Sequence, residues 1–311
     1  MKLLSAFNST IWAIRSEEFA LLSEYVSLSV RGSKDPELEA QIQALKRGRP
    51  AKISGNIAVL PIRGVISHRS SFFSEFFGGS SVERLSEDLE MMVKNPNIGA
   101  IVLDVDSPGG SVSGVMEFAE QILEARKEKK IVAVANPQAA SAAYHIASAA
   151  EELIVAPSGS VGSIGVFLMH QDYSEAMKAQ GINTTFIKAG KYKTEGNYYE
   201  PLTEDAKEAL QARVDAYYDY FVKGVAKGRG VKASDVREGF GEGRMVMAED
   251  AVKAGMADRV GTLASTLKRL GVKSESESKF LSGEAETPDV EAASDDVGLS
   301  AERRQRDLDM F

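Results

Sequence analysis

A chain of 311 residues with 43% apolar and 26% charged side chains has room for two average domains or one large α/β domain with appendages. Its net charge of −8 argues against a protein built mainly to grip nucleic acid. The absence of cysteine excludes disulfides, thiolate metal ligands and a cysteine nucleophile.

The first residues, MKLLSAFNSTIWAIRSEEF, run from one lysine and a short apolar patch into Asn8, Ser9 and Thr10, so the h-region of a signal peptide is missing. No later run reaches the length of a membrane span, and the expectation is a chain that stays unexported, in the cytoplasm. Residues 1–50 read as a helical arm and linker. Ser16 is the expected cap of a helix with Phe19, Leu22 and Val26 on one face. The polar stretch RGSKDPELEAQIQALKRGRPAK follows, with space for a short helix.

Residues 51–268 form the expected body, in which strands and helices alternate. Strands are predicted at 56–66, 98–108, 130–136, 152–157, 163–168 and 183–189 from short Val- and Ile-rich runs bounded by turn residues. Near-continuous apolar runs imply strands covered on both faces. Val82, Leu85, Leu89, Met92 and Val93 define one amphipathic helix, and Val115, Phe118, Ile122 and Leu123 a second. A third is expected to be capped by Thr203, striped by Leu210, Val214, Tyr217, Phe221 and Val225, and ended by Gly228. This alternation implies an α/β fold with parallel strands. Residues 269–311 are the expected acidic, disordered tail; from Gly271 onward it holds 11 acidic and 5 basic side chains.

Three places could carry chemistry. In DVDSPGGSVSG (104–114), a strand ends in paired glycines whose amides can approach a ligand and stabilise an oxyanion, worth about 3 kcal/mol per donor. The same Pro-Gly-Gly also suits a plain tight turn. In PQAASAAYHIASAA, Ser141 is either a helix cap or a nucleophile aimed into a cleft, with the Ala142 amide beside Gly110. A serine nucleophile needs a base. His68, His145, His170 and the lysines of KAGKYKTEG, Lys188, Lys191 and Lys193, are available. A lysine base must shift by about 3 pKa units, roughly 4 kcal/mol, which a dry, alanine-lined cleft could supply.

In this order and at these separations, DVDSPGGSVSG, AASAAYHIASAA, PSGSVGSIGV and AGKYKTEGNYYEPLT resemble the signal peptide peptidase A family of serine peptidases. The N-terminal TIWAIRSEEFALLSEYV is similar to the prelude of its phage head-maturation branch, the minor capsid protein C type. The resemblance implies a Clp-protease/crotonase-like superhelix of ββα units and a Ser–Lys dyad. By motif position Ser141 is the nucleophile and Lys193 the base, with Lys191 as competitor. Gly109, Gly110 and Ala142 would serve the oxyanion. Ser160, Gly162 and Ser163 would line the cleft, where an extended substrate could add as a strand. A Ser–His–Asp triad using His170 and Asp172 is the enzyme alternative; a crotonase-type acyl-CoA enzyme and an inert assembly scaffold are the others. No metal or cofactor is implied. The implied partners are capsid and scaffold polypeptides and further copies of the chain, acting in the host cytoplasm or a phage prohead, with a soluble bacterial peptidase left open.

Overall fold

The computed structural model describes residues 7–8, 10–33, 35–45, 51–69 and 79–272. The expected acidic tail lies outside these residues from position 273 onward.

The chain opens with strand β1 (Trp12–Ile14) and helices α1 (Ser16–Val30) and α2 (Pro36–Leu45). Strand β2 (Lys52–Ser54) turns back antiparallel onto β3 (Ile57–Arg63). A βββα unit and a ββα unit follow. In the first, β3 leads through β4 (Ile66–Ser67) and β5 (Ser80–Ser81) into α3 (Val82–Lys94). In the second, β6 (Ala100–Ser107) leads through β7 (Gly109–Ser111) into α4 (Val115–Ala125). The long β8 (Lys130–Ala140) feeds α5 (Ala142–Ser148), then β9 (Glu152–Val155) and β10 (Ser160–Gly162). Helices α6 (Ser174–Ala179), α7 (Glu204–Arg229) and α8 (Ala233–Gly239) precede β11 (Met245–Met247), α9 (Ala248–Lys253), β12 (Arg259–Val260) and α10 (Leu263–Arg269).

β3, β6 and β8 run parallel at the centre of the larger sheet, ordered β11-β10-β8-β6-β3-β2. The first half of β8 pairs with β9 and its last residues with β10, so the strand bridges two neighbours on one side. Alternation along the strands explains the two cores. Ile101, Leu103 and Val105 face the helical side with Leu85, Leu89, Phe118 and Tyr144. Ala100 and Val102 face the other side, with Val132, Val134 and α10 residues Leu263 and Leu267. Both faces are therefore apolar, as parallel strands require. A smaller sheet, ordered β1-β7-β4-β5, continues from the carboxyl ends of β3 and β6. The α/β class expected from the sequence is the observed one, and the expected strands-then-helix succession appears as one βββα and one ββα unit.

Four local expectations are corrected. Residues 183–189 form no strand; they are largely exposed and have no neighbouring strand to complete their hydrogen bonds. The strand expected at 163–168 is instead β10, which ends at Gly162; Ser163 adopts φ 51° and only Phe167 forms a bridge, to Trp12. Ser16 is not a cap, since Arg15 holds that position and Ser16 already lies in the helix. Gly228 does not end α7, which runs to Arg229 and is closed by Gly230 at φ 67°.

Candidate active site

The site begins where β6 bends into β7. Ser107 is fully buried; its Oγ donates to the Gly64 carbonyl at 2.6 Å and accepts the Gly109 N–H at 3.1 Å. That pair of bonds fixes the turn. Gly109 sits at φ 98°, and a β-carbon built on it would lie 2.2 Å from the Ala13 carbonyl oxygen and 3.0 Å from Ser141 Cβ. At Gly110 the obstacle is backbone, the Ile66 carbonyl oxygen at 1.9 Å. Both positions therefore need glycine for close approach.

Ser141 follows the last residue of β8 and precedes α5. It is 1% exposed, and its backbone adopts φ 53°, ψ −119°, a region a residue with a β-carbon enters only under strain. Its N–H donates to the Gly162 carbonyl at 2.7 Å, and its carbonyl accepts the His145 N–H at 3.0 Å. No side-chain cap bond forms, so the helix-cap reading fails. Instead Oγ donates to the Gly165 carbonyl at 3.4 Å. Gly165 was not singled out in the sequence, although it lies within the GSVGSIGV stretch. Ala142 opens α5 and is fully buried, and the first amides of a helix have no partner within it.

β10 brings Ser160 and Gly162 beside the end of β8, with Gly162 opposite Ala140. Gly162 at φ 120° and Ser163 at φ 51° turn the chain beside Ser141, whose N–H bonds the Gly162 carbonyl, and the Ser163 N–H donates to Arg244 O at 2.9 Å.

Helix α5 is clamped from behind. His145 is 3% exposed, its ring centroid 4.9 Å from that of Phe221 on α7, and burial pushes its pKa down to about 4. It is a packing residue, as its spacing from Ser141 suggested. Arg126 donates to the carbonyls of Ala149 and Ala150 at 3.2 Å, placing a cation at the C-terminal end of the same helix.

The candidate bases lie elsewhere. Lys191 and Lys193 are exposed in the turn-rich stretch after residue 189, and Lys191 Nζ stands 4.7 Å above the Tyr192 ring. Lys188 donates to Thr194 Oγ1 at 2.9 Å. His170 Nε2 lies 3.1 Å from Asn197 O. Asp172 accepts the Ser174 N–H at 2.8 Å, which holds its carboxyl below the usual carboxylate range. Among the described hydrogen bonds, none joins Ser141 to a lysine or to His170. The fold thus unites Ser141 with the glycine loop and with β10, while no described hydrogen bond ties a candidate base to them.

Residues 124–276 match peptidase family S49, a span that holds Ser141 and Lys193 and begins after the glycine loop. Capsid assembly protease C of Escherichia phage lambda is 32% identical over 69% of this chain and 48% of its own length. Head-tail preconnector protein GP5 of Enterobacteria phage P21 is 31% identical over 68% of this chain and 42% of its own. The chain thus spans about half the length of the curated relatives it matches. A solved ClpP1 mutant from Listeria monocytogenes aligns over 74% of this chain and 98% of its own, at 15% identity and a TM-score of 0.42. The chain carries a domain of peptidase family S49, the signal peptide peptidase A family.

Proposed function

We propose that this chain is a serine endopeptidase acting through an acyl-enzyme, with Ser141 as nucleophile and Lys193 as general base. The observation that carries the reading is the backbone of Ser141. A buried serine held at φ 53°, with no cap bond and within reach of paired glycines, keeps a strain that a merely structural helix start would shed. In the first step Ser141 Oγ attacks the substrate carbonyl carbon while its proton passes to Lys193 Nζ. The oxyanion is held by amides of the Gly109–Gly110 turn and Ala142. Lys193 then gives the proton to the leaving amine, and water, deprotonated in the same way, releases the acyl group.

Lys193 is exposed in the isolated chain, and no described hydrogen bond joins it to Ser141. Catalysis therefore requires that its segment be covered and brought to Ser141. That segment also presents Tyr192 and a fully exposed Ile187. A second copy of the chain is the proposed cover, so the working form is a homo-oligomer. The substrates proposed are capsid and scaffold polypeptides, supported by the names of the two phage relatives, and the place of action is the host cytoplasm or prohead. No helix among the described residues is long and apolar enough to cross a membrane.

The test is to incubate wild type, Ser141→Ala, Lys193→Ala and His170→Ala with the neighbouring capsid and scaffold proteins, reading cuts by mass spectrometry. Cuts lost in the first two variants and kept in the third support the dyad. Cuts that survive Lys193→Ala but not His170→Ala would overturn it. Recovery of activity on mixing the Ser141→Ala and Lys193→Ala chains would assign the base to a neighbouring copy.

A further inference from the structure

Strand β1 occupies an unusual place. β7 has β4 on one side and β1 on the other, so Gly109–Ser111 would be an open edge beside Ser141 without Trp12–Ile14. An open strand edge is where an extended peptide adds. β1 fills it completely. The Arg15 N–H donates to Pro108 O at 3.0 Å, and the Val112 N–H donates to Ile11 O at 3.2 Å. These bonds bracket Ala13 and Gly110 as a hydrogen-bonded pair of the antiparallel ladder, which directs the Gly110 N–H at the Ala13 carbonyl. On its other edge β1 exchanges two bonds with the segment that follows Gly165: Trp12 N–H to Phe167 O at 2.9 Å and Phe167 N–H to Trp12 O at 3.0 Å.

The strand is therefore threaded between the glycine loop and the 165–167 segment that borders Ser141 Oγ. Its Ala13 carbonyl and Ser141 Cβ flank the same position on Gly109, 2.2 and 3.0 Å from a β-carbon built there. Ala13 is a small residue, and its carbonyl already holds an amide assigned to the oxyanion. What anchors the strand is separate from these bonds. Trp12 is buried with Phe7, Phe19 and Phe167, its ring centroid 5.1 Å from Phe7 and 5.8 Å from Phe19.

Resting on the peptidase reading above, we infer that Ile11–Arg15 is a built-in occupant of the substrate groove, which keeps the peptidase closed until a substrate strand replaces it. An incoming extended peptide would restore the same backbone hydrogen bonds, so the exchange is nearly balanced in that respect. The aromatic anchor at Trp12 is what the substrate has to outcompete. The groove then has two mutually exclusive states, with β1 in it or with a polypeptide in it.

Trp12 and Ser111 face each other as a non-hydrogen-bonded pair, the pairing with the shortest Cα separation and one a disulfide can span. Because the chain has no cysteine, Trp12→Cys/Ser111→Cys carries a single, reversible lock. The probes are a fluorophosphonate for Ser141 and a fluorogenic alanine-containing peptide for turnover. Oxidation should slow both by about tenfold or more, since only the open fraction reacts, and reductant should restore both in the same sample. In the cysteine-free chain, Trp12→Ala should label faster than wild type, with melting followed in parallel. Equal rates for oxidised and reduced protein, or a folded Trp12→Ala chain that labels no faster, would overturn the inference and leave the peptidase reading intact. No labelling of Ser141 in any state would overturn both.

Discussion

Gly228 on α7 presses against the carbonyl of Ser148 on α5: a β-carbon built at Gly228 would come within 2.3 Å of that oxygen. Gly224, one turn earlier, is as close to the His145 ring, at 2.4 Å from Cε1. The two glycines let α7 lie directly on α5, the helix that Ser141 precedes. In an open helix, replacing glycine by alanine gains about 1 kcal/mol. Here the added methyl meets backbone, which cannot rotate away, and overpacking of this kind costs about 1–3 kcal/mol. Gly228→Ala should therefore lower the urea midpoint and slow labelling of Ser141 together. A more stable variant with unchanged labelling would show that α7 does not position α5.

Ser141 invites the opposite experiment. Its φ of 53° with ψ −119° is a conformation glycine adopts freely, whereas serine and alanine are strained there by about 1–3 kcal/mol. Glycine loses more chain entropy on folding, which takes back about 0.5–1 kcal/mol. Ser141→Gly should therefore be about 1 kcal/mol more stable than Ser141→Ala, with both unable to acylate. Equilibrium urea denaturation of the two inactive variants decides it. If they unfold together, the strain at this position is not real.

Much of this fold is legible because burial leaves a simple trace. Ala100–Ser107 and Lys130–Ala140 are apolar on both faces, and that pattern has one common explanation, a covered parallel strand. Ser141 and Gly110 are legible as a constellation because short motifs keep their order along the chain. Pairing is not legible in the same way. Asn183–Ala189 has the composition of a strand, but nothing in a local pattern says whether a neighbour exists to bond it. Trp12–Ile14 is the converse case, a three-residue strand whose partner lies about a hundred residues away. Gly228 looked like a helix stop because glycine is read first as a breaker, and its second use, close approach, needs a tertiary neighbour. Lys193 could be matched by motif, yet a motif does not say whether the segment that bears it is buried, and here that residue is exposed.

His145 gives helix α5 a pH limit. Its pKa falls to about 4 through burial, against about 6.5 in an unfolded chain, so the folded state keeps it neutral. Between those values the unfolded state binds the additional proton, so stability is lost as pH falls from about 6.5 toward 4 and the loss levels off below. The expected loss from this group is about 2 kcal/mol by pH 5. His145→Gln lowers stability at every pH by disturbing the contact with Phe221, but it should remove this part of the slope. Urea midpoints at pH 7 and pH 5 for both chains measure the difference. Parallel slopes would mean that His145 titrates normally and is open to water.

At the carboxyl ends of the central strands, Arg63 pairs with Asp104 and, at 3.2 Å, with Asp106, and it donates to the Asn136 carbonyl at 3.2 Å. Asn136 closes the group by donating to Asp104 Oδ1 at 3.0 Å. Burial raises the pKa of Asp106 although Arg63 opposes the shift, so desolvation outweighs the attraction. Removing one member should be worse than removing the group. Arg63→Leu leaves Asp104, whose side chain is 7% exposed, without its cation, and loss of one partner of such a pair costs about 3 kcal/mol or more. Adding Asp104→Leu removes the stranded charge and should recover a large part of that loss. The sign with pH follows from the same physics. A raised carboxyl pKa means that the folded state takes up protons first, so the deficit of Arg63→Leu should shrink as pH falls from 7 to 5, as Asp106 neutralises. Urea denaturation of the single and double variants at both pH values tests this. A deficit that is independent of pH, with no recovery in the double variant, would mean that Arg63 acts through packing of its stem and not through its charge.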